Sequence, residues 1–452
     1  MLFTQHRGSL NYFSSNQEYI SMATLSNFTI VPPDAQQSVW LTGDRATFVA
    51  TSEDTNGQFS LFNFFLPPQV GTTPHTHLHE DEAAYILDGN VSFQLNDQTF
   101  TVSPGGFVYA PEGETTISFR NLEITPAKMA VITTPAGLED FFGAVGLPTT
   151  GTVPPSPPPL TPELFDTILE IATEHEIEVP DTLSFTAPEY SITEDGTPIA
   201  SVTVLRPGKA EGAVGATITL SDSTAESSED YSPTQIPVNF AAEERFQTVT
   251  IPIIDDDLVE GNETINLALT NPTGGASLSL LQDKSFLTVE DNDDLSLGGG
   301  SNNSLEELYN LPNLPVPERQ EFLLGGNSFT SIATGDDTNG GYSLFDVSIS
   351  QQIGSESYIH GQADEAFYIL DGDVSFLQGD QAITASAGTF IYAPKGDLYG
   401  ISSVGTTPAR ALLLSPGGVF SPTSVPEPSL TWSLLALVTW GVNSLKKNKL
   451  QK

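Results

Sequence analysis

Three of the six histidines in this 452-residue chain fall within five positions, at His75, His77 and His79, with Glu82 just behind them. On a strand, side chains repeat every two residues, so His75 and His77 point to one face. A short turn over residues 79–81 lets the next strand bring Glu82 back against them. Two imidazoles and one carboxylate converging on one point suit a divalent transition metal with open positions. The plain alternative is a polar rim whose histidines bind nothing.

The segment has an echo. Residues 51–62 (TSEDTNGQFSLF) recur at 334–345 (TGDDTNGGYSLF), Glu82–Gly89 as Glu365–Gly372, and Tyr109–Gly113 as Tyr392–Gly396, always offset by 283. A register held through strands and turns means two copies of one β-rich unit. At that offset His75 becomes Tyr358 and His79 becomes Gln362, leaving His360 and Glu365. The second copy keeps the shell and loses most of the site.

Asp plus Glu number 57 against 15 Lys plus Arg, a formal charge of -42. Such a surface repels nucleic acid and anionic lipid and attracts divalent cations, so no nucleic-acid partner is expected. The absence of cysteine excludes disulfides, thiolate metal sites and redox thiols. Abundant Pro and Gly beside short Val/Ile/Thr/Phe runs predict an all-β chain. Its length suits about three domains at ~150 residues each.

The elements fall in order along the chain. Residues 1–22 carry no pattern, read as disordered, and lack the apolar core of a secretory signal; Met22 is a candidate start. Residues 23–147 form the first β unit, and 148–180 a Pro-rich linker with a helix over 161–175. There Thr161 can cap, Pro162 suits the first turn, and Leu164, Ile168 and Ile171 make an apolar stripe. Residues 181–294 are a different β domain, 295–304 a flexible joint, and 305–420 the repeat copy. An apolar run and a Lys-rich end occupy 425–452.

The pattern Gly71…His75-x-His77-x4-Glu82-x6-Gly89, then Gly105-x5-Pro111-x-Gly113, resembles the two motifs of the cupin superfamily. The frame around it, with the closing 135–142 (PAGLEDFF), is similar to quercetin 2,3-dioxygenase-like cupins. The resemblance implies two jelly-roll β-barrels with any metal inside the mouth of the first. The family's second motif adds a histidine three residues after the Pro-x-Gly glycine. Here that position is Thr116, and Tyr399 in copy two. Copy one thus keeps His75, His77 and Glu82, with His79 or Glu80 as substitutes for the missing ligand. The set implies Fe2+, Mn2+ or Ni2+ and Lewis-acid or oxygen chemistry. A degenerate shell that binds no metal is the other reading.

Between the copies, acidic clusters sit at strand ends: Asp230-Tyr231, residues 255–263 (DDDLVEGNE) and 290–294 (EDNDD). Crowded carboxylates repel unless a hard cation screens them. The whole stretch resembles the Calx-beta domain, which implies an immunoglobulin-like sandwich with Ca2+ in its end loops. By position, the resemblance gives Glu194, Asp230, Asp255, Asp256, Glu260, Glu263, Asp291 and Asp293 as ligands. A sandwich that folds without calcium is the alternative.

At the end, Pro426-Glu427-Pro428 precedes the apolar run and the lysines. That order resembles a PEP-CTERM sorting signal, implying a C-terminal hydrophobic helix, transient anchoring in the membrane, and an exosortase-type partner. A plain tail anchor is the other reading. Together these features imply an exported, calcium-binding surface or matrix protein of bacterial, cyanobacterial type, whose cupins bind a ligand or partner. A quercetinase-like dioxygenase, with copy one active and copy two structural, is the competing function.

Overall fold

The computed structural model describes residues 28–151, 161–292, 305–418 and 422–424, apart from 42, 196–197, 233, 257, 259, 325, 352–357, 361–362 and 379–380. The N-terminal stretch 1–22, the joint 295–304 and the tail 425–452 lie outside the described residues, so the expected hydrophobic helix and sorting motif do too. Among the described residues no helix is long and apolar enough to cross a membrane.

Alternating apolar strands build the first barrel. Its larger sheet runs in the order Leu147–Thr149, Gln37–Trp40, Arg45–Ala50, Ser60–Leu66, Ala127–Thr134, Asp81–Asp88, Phe107–Ala110. The smaller holds Ile117–Arg120, Val91–Leu95 and Gln98–Val102, and Asn313–Leu314 joins its edge in parallel. Between the sheets lie Phe48, Phe62, Phe64, Ile86, Phe93, Phe119 and Met129. The second barrel repeats the plan over residues 321–424. It also takes a strand from the start of the chain, because Thr29–Val31 pairs antiparallel with Phe390–Tyr392. The barrels therefore exchange edge strands. Phe28 follows its strand across and meets Phe376 at 5.3 Å and Tyr399 at 6.1 Å.

The large sheets are buried on both faces. Along Asp81–Asp88, Ala84 and Ile86 enter the first barrel's interior, while Ala83 and Tyr85 face the second barrel. Along Ala127–Thr134, Met129 and Val131 go inward, and Ala130 and Ile132 go to the interface. Phe59 and Phe390, both fully buried, meet there at 6.2 Å. Unbroken apolar runs such as 83–87 (AAYIL) follow from this double burial, since neither face is left for water.

The middle domain is a sandwich. One sheet holds Glu189–Thr193, Lys284–Glu290, Glu263–Thr273, Val214–Asp222 and Gln235–Phe240; the other holds Phe246–Pro252, Ile199–Leu205, Thr182–Phe185 and Ser277–Leu278. At one end the fully buried Arg206 forks onto Asp181 and the carbonyls of Glu211 and Gly212. The same end rests on the first barrel, where Leu280 N donates to Gln94 Oε1 (3.1 Å) and Gln282 Nε2 to the Thr72 carbonyl (3.1 Å). The acidic loops lie at the other end.

The expected helix spans Pro162–Glu174, and Thr161 Oγ1 accepts from Leu164 N at 3.3 Å. Its buried face is turned from the expected one. Leu164, Ile168 and Ile171 are half-buried, whereas Phe165 and Ala172 are buried. The helix spans two domains: Ala172 packs in the first barrel's core and Phe165 against Phe246 of the sandwich, 6.1 Å away. Two shorter helices, Leu138–Val145 and Leu305–Tyr309, were not expected from the sequence. The second is wedged between barrel and sandwich with Leu122, Leu281 and Phe286.

Candidate metal centre

Two hydrogen bonds fix which way the paired histidines face. His75 N donates to the Ile117 carbonyl (2.9 Å) and Ile117 N to that of His75 (2.8 Å), so both side chains share the interior face. Thr76–His77 continues the strand, and residues 78–80 turn it into Asp81–Asp88. Glu82 falls in step with Ala84 and Ile86 and points inward. The two rings meet edge to face at 5.1 Å. Both turn Nε2 toward the same oxygen: Glu82 Oε2 is 3.7 Å from His75 and 3.2 Å from His77. One ligand atom from each residue fits within 4.8 Å of the others.

The rings are also held from behind. His75 Nδ1 lies 2.9 Å from the Thr73 carbonyl, and His77 Nδ1 lies 3.6 Å from Glu80 Oε2, in ion-pair range. The Thr73 carbonyl keeps a proton on His75 Nδ1 and so leaves its Nε2 free to donate a lone pair, whereas His77 Nδ1 is buried without a hydrogen bond. The buried Glu82 Oε2 is engaged by these two imidazoles as ion pairs, without a well-formed hydrogen bond. Two imidazole nitrogens and this carboxylate oxygen fit a divalent transition cation.

Charge reinforces the arrangement. Burial weighs most on Glu82 and opposes its ionisation, but His75 and His77 together outweigh it and hold the carboxyl well below the usual range. Burial likewise opposes a charge on His77, yet Glu80 and Glu82 push that imidazole up to about 9. The pocket is built for net positive charge beside Glu82.

The substitute ligands do not converge. His79 is exposed, with Nε2 3.4 Å from Glu176 Oε1 at the surface. Glu80 stands behind His77, on its Nδ1 side. Thr116 Oγ1 lies 3.1 Å from Thr76 Oγ1, on the face away from the histidines, and apolar Ile117 stands opposite His75 instead. A strap not foreseen from the sequence clamps the ligand strand: Ile177–Glu178 pairs antiparallel with Thr76–His77, and Leu78 N donates to the Glu176 carbonyl at 3.0 Å. In the second barrel Glu365 is buried, and Phe28, Phe367, Phe376 and Tyr399 crowd the interior, Tyr399 stacking on Phe376 at 4.8 Å. The side chains of Tyr358 and His360 lie outside those described.

At the far end of the sandwich, ligand atoms of Asp230, Glu260 and Glu263 also come within 4.8 Å of one another. Burial first, then Asp230, Glu260 and Glu194, push the Glu263 carboxyl up to about 7. Glu260 is raised by burial and then by Asp230, Asp256, Glu229 and Asp291. Carboxylates this crowded suit a hard cation with oxygen ligands. Other expected ligands do structural jobs: Asp291 Oδ2 accepts from Glu260 N (2.9 Å) and Gly261 N (2.7 Å), and Asp256 Oδ1 from Leu258 N (2.7 Å). Glu194 is buried, Asp255 is exposed at the start of the loop, and Asp293 lies outside the described residues. Glu229 was missed, although its place beside Asp230 was a signal.

Residues 62–133 and 347–415 match the Cupin domain family, and 176–293 match the Calx-beta domain family. The chain thus carries two cupin domains with one Calx-beta domain between them. A curated relative, the quercetin 2,3-dioxygenase of Bacillus subtilis (strain 168), is 31% identical over 131 residues, covering 29% of this chain and 38% of the relative. The chain therefore spans well under half of that enzyme's length. Among solved structures, oxalate decarboxylase from Bacillus subtilis matches at 14% identity and a TM-score of 0.43, over 90% of this chain and 80% of that one. The apo form of the Calx CBD1 domain matches at 24% identity and a TM-score of 0.24, covering 25% of this chain and 97% of that one.

Proposed function

We propose that this chain is a calcium-binding bicupin displayed at the cell surface, whose first barrel holds one divalent transition metal and takes a small ligand there. The observation that carries the reading is the aim of two Nε2 atoms at one buried carboxylate oxygen. His75, His77 and Glu82 would hold Fe2+, Mn2+ or Ni2+, with Glu80 and the Thr73 carbonyl fixing the rings. When bound, the ion supplies Lewis-acid or oxygen-activating chemistry. Ile117 keeps one wall of the site apolar. The second barrel, filled with aromatic rings, acts as scaffold.

In the sandwich, Asp230, Glu260 and Glu263 would form the heart of a Ca2+ site, with Glu194, Asp255, Asp256, Asp291 and Asp293 around it. Calcium relieves the repulsion that raises Glu263 and stiffens the loops. The acidic surface and the Pro426-Glu427-Pro428 tail support export through a sorting system with transient anchoring. Protease shaving of intact cells releases fragments if the protein is at the surface; an untouched chain refutes that location.

Metal analysis of the purified full-length chain tests the core of the reading. The expected result is one transition metal and at least one calcium per molecule, with His77→Ala losing only the former. No transition metal after loading, or unchanged binding in His77→Ala, overturns the first site. A second reading, a quercetinase-type dioxygenase, is favoured by the resemblance to the Bacillus enzyme. Aerobic consumption of quercetin by the loaded chain, lost in Glu82→Gln, would establish it; no turnover with any of the three metals would refute it.

A further inference from the structure

Glu82 has a neighbour on the opposite face of its strand. Asp81 shares the side of Ala83 and Tyr85, which is the face turned to the second barrel. Its carboxylate is fully engaged. Oδ2 accepts from the Tyr109 hydroxyl at 2.6 Å and Oδ1 from Glu112 N at 2.9 Å. Tyr109 lies on the adjacent strand, where Ala83 pairs with Tyr109 and Glu82 with Ala110. One residue past Glu112, Gly113 N donates to the His77 carbonyl at 2.7 Å. Asp81 therefore ties the Glu82 strand to the turn that holds the backbone of His77.

The second barrel reaches this clamp. Asn339 approaches Tyr109 from across the interface. The loop carrying Asn339 sits close over Asp81, since a Cβ on Gly341 would lie 3.9 Å from Oδ2. The internal repeat supplies a mirror image. Asp364 accepts from the Tyr392 hydroxyl and from Lys395 N, and Gln58 of the first barrel donates to the Tyr392 hydroxyl at 2.7 Å. The two sides differ in what crosses the interface. Gln58 donates a further hydrogen bond to Asp364, whereas its counterpart beside Asp81 is Gly341. Among the described residues, Tyr109 alone gives Asp81 a side-chain hydrogen bond.

We propose that the second barrel serves the first barrel's metal centre by packing over Asp81 and Tyr109, the latter a positioning residue that sets Glu82 and His77 through Asp81. The inference rests on the reading that His75, His77 and Glu82 hold a metal. It gives the barrel without a full ligand set a task in metal binding. It also turns the repeat into its own control, because Tyr392 makes the same contact beside Glu365, where no histidine pair exists.

The experiment uses the full-length, metal-stripped chain and Mn2+ as probe, with affinity read by titration and stability by thermal melting. Tyr109→Phe and Asn339→Ala are expected to weaken Mn2+ binding about tenfold, the scale of lost outer-shell contacts. Tyr392→Phe is expected to lower the melting temperature as Tyr109→Phe does, yet to bind Mn2+ like the wild type. Asn339 is exposed, so its variant keeps the test open should Tyr109→Phe not fold. Wild-type affinity in both Tyr109→Phe and Asn339→Ala, or equal weakening in Tyr392→Phe, would overturn the inference. A wild-type chain that ignores Mn2+ would instead sink the site beneath it, and the inference along with it.

Discussion

Replacing Asp44 by asparagine will make the first barrel more stable at neutral pH. Asp44 sits where the hairpin of Gln37–Trp40 and Arg45–Ala50 turns; it is fully buried, and neither carboxylate oxygen has a hydrogen-bond partner. Burial raises its pKa from 3.8 to about 6, and the pull of its own backbone N–H offsets only part of that. The folded form thus binds a proton more tightly than the unfolded chain does. Stability is fully present below about pH 4, declines as pH rises, and has lost its share above about 6. A shift of about 2 units corresponds to about 3 kcal/mol. Asparagine carries no charge to bury, so Asp44→Asn gains up to about that amount at pH 7 and nothing at pH 4. Trp40, 2% exposed in the same hairpin, reports unfolding once Trp432 and Trp440 are replaced by Phe. Urea unfolding from pH 4 to 8 gives the difference curve, in which other titrating groups cancel. A difference that stays flat across that range would refute the reasoning.

Other perturbations have equally definite outcomes. Phe59→Ala, at a fully buried position between the barrels, is expected to cost about 3–5 kcal/mol in denaturant unfolding; a loss under about 1 kcal/mol would mean the barrels do not share a core. Ile177→Ala in the strap removes a buried side chain paired opposite His77, so stability falls by about 2–4 kcal/mol and Mn2+ affinity falls with it. Melting without change of Mn2+ affinity would limit the strap to packing. Glu263→Gln removes a carboxylate from the acidic cluster. Added Ca2+ then raises the melting temperature of the sandwich less than in the wild type, and an equal rise in both places the ion elsewhere.

Much of this was legible in the chain because it is carried by local periodicity. His75, His77 and Glu82 meet because alternation put two rings on one face and a turn of the expected length returned the acid. The acidic loops meet because strands of one sandwich end together. What sequence hid was partnership. Thr29–Val31 reads as a strand whichever sheet it joins, and only its neighbour reveals the exchange. Asp81 reads as one more turn acid, since nothing local marks it as facing a second barrel. The apolar run 83–87 was a usable signal, because a strand with one wet face would not need it. The helix Leu138–Val145 escaped notice because residues 138–142 (LEDFF) read as the close of a cupin motif.

The exchanged strand also sets the order in which this polypeptide can finish itself during synthesis. Thr29–Val31 leaves the ribosome first, and its partner Phe390–Tyr392 is translated roughly 360 residues later. At about 5–20 residues per second the wait is roughly 20–70 s. Throughout it, the sheet surface bearing Phe59, Leu61 and Ile132 has no cover. Closure of the N-terminal arm is therefore a late event, and neither cupin can be cut from the gene as one contiguous piece without leaving the other short of a strand.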